Sequence, residues 1–169
     1  MLHPNKFRKK YLLLLSTLFI IAFSGRIDAQ IKVEFPKISG TENSIVLAPV
    51  KVGSLSEDKV TAFQFSLFYD KKKLLITGVD LKETLLESNP PVINADTAKG
   101  RIVIAWASAT KLIGEGNLLK LKIKLTHSGK STLTKEGPTG ETFLFNAGSP
   151  KAIIRNGEVI IKSDEKSSE

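Results

Sequence analysis

The chain of 169 residues contains no cysteine. This absence excludes a disulfide framework, thiol catalysis and a lipid anchor attached through a cysteine. Aromatic residues make up only 7% of the chain, and there is a single tryptophan, Trp106. After position 29 there is one histidine, His127, in the turn-like segment THSGK. A lone histidine in such a turn is more often solvated than catalytic, so it does not indicate an active site.

Catalytic and metal-binding motifs are also missing. The sequence contains no GxSxG nucleophile elbow, no HExxH zinc motif and no glycine-rich phosphate loop. Its carboxylates are scattered, so no pair is assigned to a glycosidase mechanism. Asp70, Asp80, Asp96 and Glu115 do not form the D-x-D-x-D-G loop that binds calcium. The sequence therefore predicts a protein that is not an enzyme and that needs no metal ion and no cofactor.

The N-terminus has the pattern of a secretory signal peptide. Four basic residues between positions 6 and 10 precede an apolar run of 13 residues, 11–23. The run is shorter than the about 20 residues that a transmembrane helix needs. We predict a signal peptide over residues 1–29 with cleavage after Ala29, and a secreted, periplasmic or cell-surface protein. An uncleaved membrane anchor and a buried helix of the fold are the alternatives.

Half of the formal net charge of +8 lies in this N-terminal segment. Residues 1–29 contain five of the 25 basic residues and one of the 17 acidic residues, which leaves 20 basic and 16 acidic residues and a net charge of +4. That balance is not typical of proteins that bind nucleic acid, and export argues against the same class. The sequence therefore predicts no nucleic-acid partner.

The segment VTAFQFSLFYD, residues 60–70, alternates large apolar residues with small or polar ones. Successive side chains of a strand point to opposite faces, so the segment is predicted to be a strand with one buried face. The inward residues are predicted to be Phe63, Phe65, Leu67 and Tyr69. The outward residues are predicted to be Ala62, Gln64, Ser66 and Phe68.

Eight further segments show the composition and spacing of strands. The nine predicted strands cover residues 30–39, 44–52, 60–70, 74–81, 101–108, 117–125, 129–134, 151–155 and 158–161. Gly78 is expected to mark a bulge, and residues 143–145 are expected to pair briefly. Residues 82–100 form the longest predicted irregular stretch. Asn156-Gly157 between two apolar runs predicts a hairpin.

This pattern predicts one all-β domain, a nine-stranded antiparallel β-sandwich over residues 30–162. The charged, serine-rich residues 163–169 are predicted to form a mobile polar tail. No internal repeat and no second domain are visible in the sequence.

The order of landmarks along the chain resembles the cohesin family. These landmarks are AFQFSLFYD, LLITGVDL, GRIVIAWAS, GEGNLLKLKIKL and NGEVII, and the resemblance covers residues 31–161. The most specific motifs are the aromatic strand that ends in Tyr-Asp and the Gly-x-Gly before the lysine-rich strand. The resemblance implies a jelly-roll sandwich of nine strands, related in fold to some cellulose-binding modules.

The resemblance also implies a binding function. Cohesins capture dockerin modules on other secreted proteins, commonly glycoside hydrolases, and so assemble complexes that degrade polysaccharides; the calcium belongs to the dockerin. The family's contact surface is the outward face of one sheet, here implied to be built from residues 60–69, 101–108, 117–125 and the region of 151–155. The implied partner-binding residues are Gln64, Ser66, Phe68, Val103, Ala105, Ala107, Leu118, Lys120, Lys122 and Lys124.

Three lysines of this set alternate with leucine and isoleucine in NLLKLKIKL. Lys120, Lys122 and Lys124 are therefore predicted to share one outward face and to steer an acidic partner. The alternative is that they only solvate an exposed sheet face and discourage edge pairing. If one surface is formed, Lys122→Glu combined with Ala105→Arg is expected to abolish partner capture with little change in melting temperature.

Two other functions are compatible with the sequence. The first is direct polysaccharide binding by a carbohydrate-binding module, which usually needs exposed aromatic platforms. Alternation places Trp106 and Tyr69 inward, which leaves Phe68, Phe143 and Phe145 without a clear stripe. The second is a structural subunit of an envelope or surface assembly, in which the sandwich serves as a spacer.

Overall fold

A computed structural model describes residues 30–55, 59–135 and 143–164. The predicted signal peptide, residues 1–29, and residues 165–169 of the predicted tail lie outside the described residues. Within the described ranges the chain forms twelve strands and no helix. This part of the chain therefore contains no helix with the length and hydropathy of a membrane span.

The strands form three sheets, whose order differs from the order of the chain. The strands are β1 (Gln30–Glu34), β2 (Lys37–Thr41), β3 (Ile45–Val52), β4 (Ala62–Phe68), β5 (Leu74–Asp80), β6 (Val92–Asp96), β7 (Arg101–Ala107), β8 (Gly116–Leu125), β9 (Gly129–Leu133), β10 (Leu144–Phe145), β11 (Lys151–Arg155) and β12 (Gly157–Lys162). The five-stranded sheet has the order β11-β1-β3-β8-β5, the four-stranded sheet β10-β4-β7-β6 and the three-stranded sheet β2-β12-β9.

The predicted all-β sandwich is confirmed, but the predicted strand number of nine is wrong. Every predicted strand is present, and three additional ones raise the number to twelve within the described ranges. The first predicted strand is divided at Phe35–Pro36 into β1 and β2, because proline lacks the N–H that a ladder needs. β6 lies in the stretch predicted to be irregular, and β10 is the brief pairing expected at residues 143–145.

Aromatic side chains fill the space between the sheets. Phe63, Phe65, Leu67 and Tyr69 of the central strand are buried, as the alternation predicts, and so is Trp106. The ring of Phe143 lies 4.7 Å from that of Phe65, measured between centroids, and the ring of Phe63 lies 5.6 Å from that of Trp106. The few aromatic residues of the described chain therefore lie mainly in the core, where they pack between the four-stranded and the five-stranded sheet.

The predicted Asn156-Gly157 hairpin is wrong, and so is a purely antiparallel sandwich. β11 pairs in parallel with β1, and β12 pairs in parallel with β2, so the chain changes sheets at this point. The Phe35–Pro36 segment bends beside it: Phe35 N donates to Arg155 O at 3.0 Å, and Glu158 N donates to Pro36 O at 3.0 Å. A Cβ on Gly157 would lie 2.4 Å from Pro36 O, so glycine serves a close backbone approach here.

Two bulges interrupt the ladders of β8. The predicted bulge at Gly78 is confirmed by a register shift between Ile76 and Gly78. A second shift occurs where Val50 pairs with Leu119 and Lys51 pairs with Asn117. Leu118 is the extra residue of this bulge and is fully buried, so its predicted outward position is wrong. An inserted residue reverses the alternation beyond it, which is why Leu118 and Leu119 both point inward.

Candidate binding surfaces on two sheet faces

The structure separates the predicted contact residues onto two different sheets. β4 and β7 are neighbours in the four-stranded sheet, whereas β8 and β11 belong to the five-stranded sheet. The predicted single contact surface is therefore wrong, because Lys120, Lys122 and Lys124 lie on the far side of the sandwich from Gln64 and Ala105. Alternation along a strand gives the side of a sheet on which a residue lies, but it does not give the sheet to which the strand belongs.

The outer face of β10-β4-β7-β6 carries little charge, and we call it the neutral face. Its outward residues, as the pairing registers give them, are Ala62, Gln64, Ser66, Phe68, Val92, Asn94, Asp96, Arg101, Val103, Ala105, Ala107 and Leu144. Of the predicted contact residues, it holds Gln64, Ser66, Phe68, Val103, Ala105 and Ala107. Arg101 and Asp96 are the charged members among these described positions, and they carry opposite charges.

One row of residues crosses all four strands of the neutral face. Leu144 pairs with Gln64, Gln64 pairs with Ala105, and Ala105 pairs with Val92. Val92 is 75% exposed and Leu144 is 42% exposed, so each end of the row presents an apolar side chain to solvent. The amide side chain of Gln64 and the small side chain of Ala105 lie between them, and Ala107 lines the same open depression. The row is apolar at both ends and contains no charged group.

The other end of the neutral face is polar. Phe68 pairs with Arg101, and Arg101 pairs with Asp96. The Arg101 guanidinium carbon lies 5.7 Å from the centre of the Phe68 ring, and Arg101 Nη2 donates to Ser66 Oγ at 3.2 Å. Ser66 is only 3% exposed, so the prediction that its side chain is available to a partner is wrong. The outward strand position is correct, but a neighbouring side chain covers the hydroxyl.

Asn146 holds the β10 edge of the neutral face in place. Its Oδ1 accepts hydrogen bonds from Thr61 N at 2.9 Å and from Ala62 N at 3.0 Å. Its Nδ2 donates to Lys59 O at 2.7 Å. The backbone has a positive φ of 39° at this position, a conformation that asparagine tolerates better than most residues. These bonds fix the segment that presents Leu144.

Sequence reasoning missed Val92, Leu144 and Asn146. β6 is largely exposed, so its sequence VINAD shows no alternation of buried and exposed residues. The usable signal was Pro90-Pro91, because prolines before a short apolar segment are compatible with an edge strand. For Asn146, the signal was the Asn-Ala-Gly sequence that follows Phe145, which is typical of a turn.

The outer face of β11-β1-β3-β8-β5 is strongly basic, and we call it the lysine face. Its described outward positions include two acidic residues, Glu34 and Asp80, and the following seven basic residues. These are Lys32, Lys51, Lys120, Lys122, Lys124, Lys151 and Arg155. Exposed apolar side chains lie among the charges, with Ile45 67%, Leu47 49% and Ile153 46% exposed.

Within residues 30–55, 59–135 and 143–164, no row of exposed aromatic side chains offers a platform for a sugar. Trp106 is buried and its Nε1 donates to Asn89 O at 3.0 Å. Phe143, Phe145 and Tyr69 are buried as well. Burial raises the pKa of the Tyr69 phenol above its usual value. Of the aromatic candidates in the described ranges, Phe68 alone is partly exposed.

No group of three or more metal-ligating side chains is found among the residues that the structure describes.

Comparison with known proteins gives a consistent result for the fold. A family model for the cohesin domain matches residues 31–161. A type I cohesin–dockerin complex from Clostridium thermocellum has a TM-score of 0.67 at 18% identity, covering 80% of this chain and 96% of that chain. The sixth cohesin of scaffoldin B from Acetivibrio cellulolyticus, in complex with the Cel5 dockerin, has a TM-score of 0.66 at 18% identity, covering 79% and 100%.

A third similar structure comes from outside this group of complexes. The non-cellulosomal cohesin from the hyperthermophilic archaeon Archaeoglobus fulgidus has a TM-score of 0.64 at 23% identity, covering 82% of this chain and 96% of that chain. No curated protein sequence matches this chain. At these identities the solved structures establish a shared fold.

Proposed function

Because the chain belongs to the cohesin family, we propose that it is a non-catalytic docking module that captures a dockerin-type module of another protein. Several structurally similar cohesins were solved in complex with dockerins, which supports this class of partner. We further propose that capture takes place outside the cytoplasm, on the basis of the signal-like residues 1–29, and that it serves the assembly of polysaccharide-degrading proteins.

The observation that carries the proposal is the row Leu144–Gln64–Ala105–Val92 on the neutral face. The centre of a protein interface is depleted in charged residues, because each buried charge must lose its hydration. The small side chain of Ala105 lets a partner approach the sheet closely. The exposed Val92 and Leu144 supply apolar area on each side of it.

The polar end of the neutral face is expected to orient the partner rather than to add apolar contact area. Arg101 is held by Ser66 and by the Phe68 ring, so its position is largely fixed before a partner arrives. Asp96 is paired with Lys99 at 3.4 Å, and this exposed pair contributes little to stability. A charged group at one end of the neutral face favours one orientation of the partner along the strands.

The lysine face does not contact a partner that is seated on the neutral face. Two packed sheets lie about 10 Å apart, and the lysine side chains point away from the shared core. The ammonium groups therefore lie farther from such a partner than the Debye length at physiological ionic strength, about 8 Å, so the lysines exert only a screened long-range attraction. The predicted steering of the dockerin by Lys120, Lys122 and Lys124 is thus expected to be weak.

The test is a pull-down with the purified chain from the proteins secreted by the source organism, first with calcium and then with a chelator. We expect calcium-dependent recovery of proteins that carry a dockerin, because the calcium stabilises the dockerin loops. The Ala105→Arg variant is the matched control and should recover none. Retention of the chain on insoluble polysaccharide without recovery of any dockerin would instead identify a carbohydrate-binding module.

A further inference from the structure

The lysine face has an ordered arrangement of charge and apolar surface. Three consecutive outward positions of β8 carry lysine, and each faces an apolar residue on β3: Lys120 faces Pro49, Lys122 faces Leu47 and Lys124 faces Ile45. Outward positions of one strand repeat about every 6.6–6.8 Å, so the three lysines form a column with that spacing along β8. A column of apolar side chains runs beside it.

Most of these charges are not neutralised within the chain. Lys32, Lys51, Lys122 and Lys124 form no ion pair among the described residues. Lys120 lies 3.8 Å from a carboxylate oxygen of Glu83, at the limit of an ion pair. Neighbouring cations repel one another, so the arrangement is unfavourable for folding unless something anionic offsets it.

We propose that the lysine face binds an acidic polypeptide segment of another protein, independently of the neutral face. An extended partner chain presents alternate side chains with the same spacing as the lysine column, so successive carboxylates align with successive ammonium groups. The exposed Ile45 and Leu47 provide apolar contact beside the ion pairs. An apolar column flanked by charges has the make-up of a protein interface.

Two other occupants fit the face less well. A bilayer surface would meet the lysine head groups first, because lysine side chains are longer than those of Ile45 and Leu47, which would stay above the hydrocarbon region. A second copy of the chain docked through the same face would bring two basic surfaces together, and like charges repel. Among its described outward positions, the neutral face of a second copy offers no net negative charge, because Asp96 is balanced by Arg101.

Because the two faces lie on opposite sides of one core, an acidic segment and a dockerin would not compete for space. The chain would then hold two partners at the same time, one through an apolar contact and one through charge. This inference does not depend on the identity of the partner on the neutral face.

The test uses a fluorescein-labelled polyglutamate peptide of about twenty residues. Fluorescence anisotropy measures its binding to the purified chain at low and at high salt. We expect saturable binding at low salt, weakening as salt rises. Lys122→Glu with Lys124→Glu should weaken binding about tenfold or more.

The matched control is Lys59→Glu with Lys111→Glu, which changes the net charge equally at exposed positions outside the lysine face. Equal weakening by the two double variants would overturn the proposal, because binding would then follow net charge alone. Absence of saturable peptide binding would also overturn it. Binding of phosphatidylglycerol vesicles without peptide binding would assign the face to membranes instead. A dockerin pull-down unaffected by Lys122→Glu with Lys124→Glu would show that the two faces act separately.

Discussion

The neutral face and the lysine face cover the same core from opposite sides, yet they are made of different residues. Among the described outward positions, the lysine face carries seven basic and two acidic residues, whereas the neutral face carries Arg101 and Asp96. Both faces keep an apolar inward side, so the fold imposes no such difference. The contrast shows that the outward side of a sheet in this fold can be built either from many charged residues or largely from uncharged ones.

The two solutions have different consequences for binding. A partner that covers the lysine face must dehydrate several cations or leave them at the rim, so such binding is governed by charge and salt. A partner that covers the row Leu144–Gln64–Ala105–Val92 dehydrates no charge and one amide side chain, that of Gln64, so the buried apolar area is offset by fewer dehydration costs. We therefore expect the neutral face to set the lifetime of a complex and the lysine face to respond to ionic strength.

The sharpest test of this contrast is one substitution on each face. Ala105→Arg places a long charged side chain at the centre of the neutral row, and we expect dockerin affinity to fall at least about a hundredfold, or ~3 kcal/mol. Lys122→Glu on the lysine face should change that affinity less than about threefold. Isothermal titration calorimetry measures both. If Lys122→Glu causes the larger loss, the dockerin binds the lysine face.

A substitution at the crossing between the sheets should destabilise the fold as a whole and so weaken binding at both faces alike. Gly157→Ala brings a Cβ within 2.4 Å of Pro36 O at the crossing between sheets, and we expect a loss of about 2 kcal/mol in unfolding free energy. Gly53→Ala is the control, because its Cβ would have no neighbour nearer than 3.7 Å. Chemical denaturation compares the two. A loss of stability as small for Gly157→Ala as for Gly53→Ala would contradict the close approach at the crossing.

The smallest expected effect is confined to the neutral face. Asn146→Ala removes the bonds to Thr61, Ala62 and Lys59, and we expect a loss of about 1 kcal/mol in unfolding free energy. Dockerin affinity should fall severalfold, because Leu144 is less well positioned, while binding of the polyglutamate peptide stays unchanged. Asn146→Asp, which keeps the acceptor Oδ1, should lie between Asn146→Ala and the unchanged chain. Equal weakening on both faces would show that Asn146 serves the fold as a whole.

Much of the sandwich could be predicted from alternation. Phe63, Phe65 and Trp106 point inward as predicted, because the period of two along a strand is a local property of the backbone. The same rule failed at Leu118, where a bulge adds one residue and reverses the pattern. Nothing in the local sequence NLL marks that insertion, since the register depends on the partner strand.

Prediction from the sequence also failed at an edge strand and at the point where the chain crosses between sheets. β6 escaped prediction because an edge strand with both sides exposed needs no alternation. Asn156-Gly157 favours a tight turn locally, but Gly157 is buried against Pro36, and the strands before and after it pair with β1 and β2 in different sheets. The hydrogen bonds that β11 forms with β1 and β12 forms with β2 outweigh the preference of Asn156-Gly157 for a tight turn.

The sequence by itself determined most of the strands, the buried side of most of them and the resemblance to cohesins, because all three depend on residue types along a continuous segment. Only the tertiary structure decided which strands share a sheet. That decision moved Lys120, Lys122 and Lys124 away from Gln64 and Ala105 and turned one predicted surface into two. The physical reason is that a sheet is assembled by hydrogen bonds between segments far apart in the chain, and each strand's own pattern is equally compatible with either sheet.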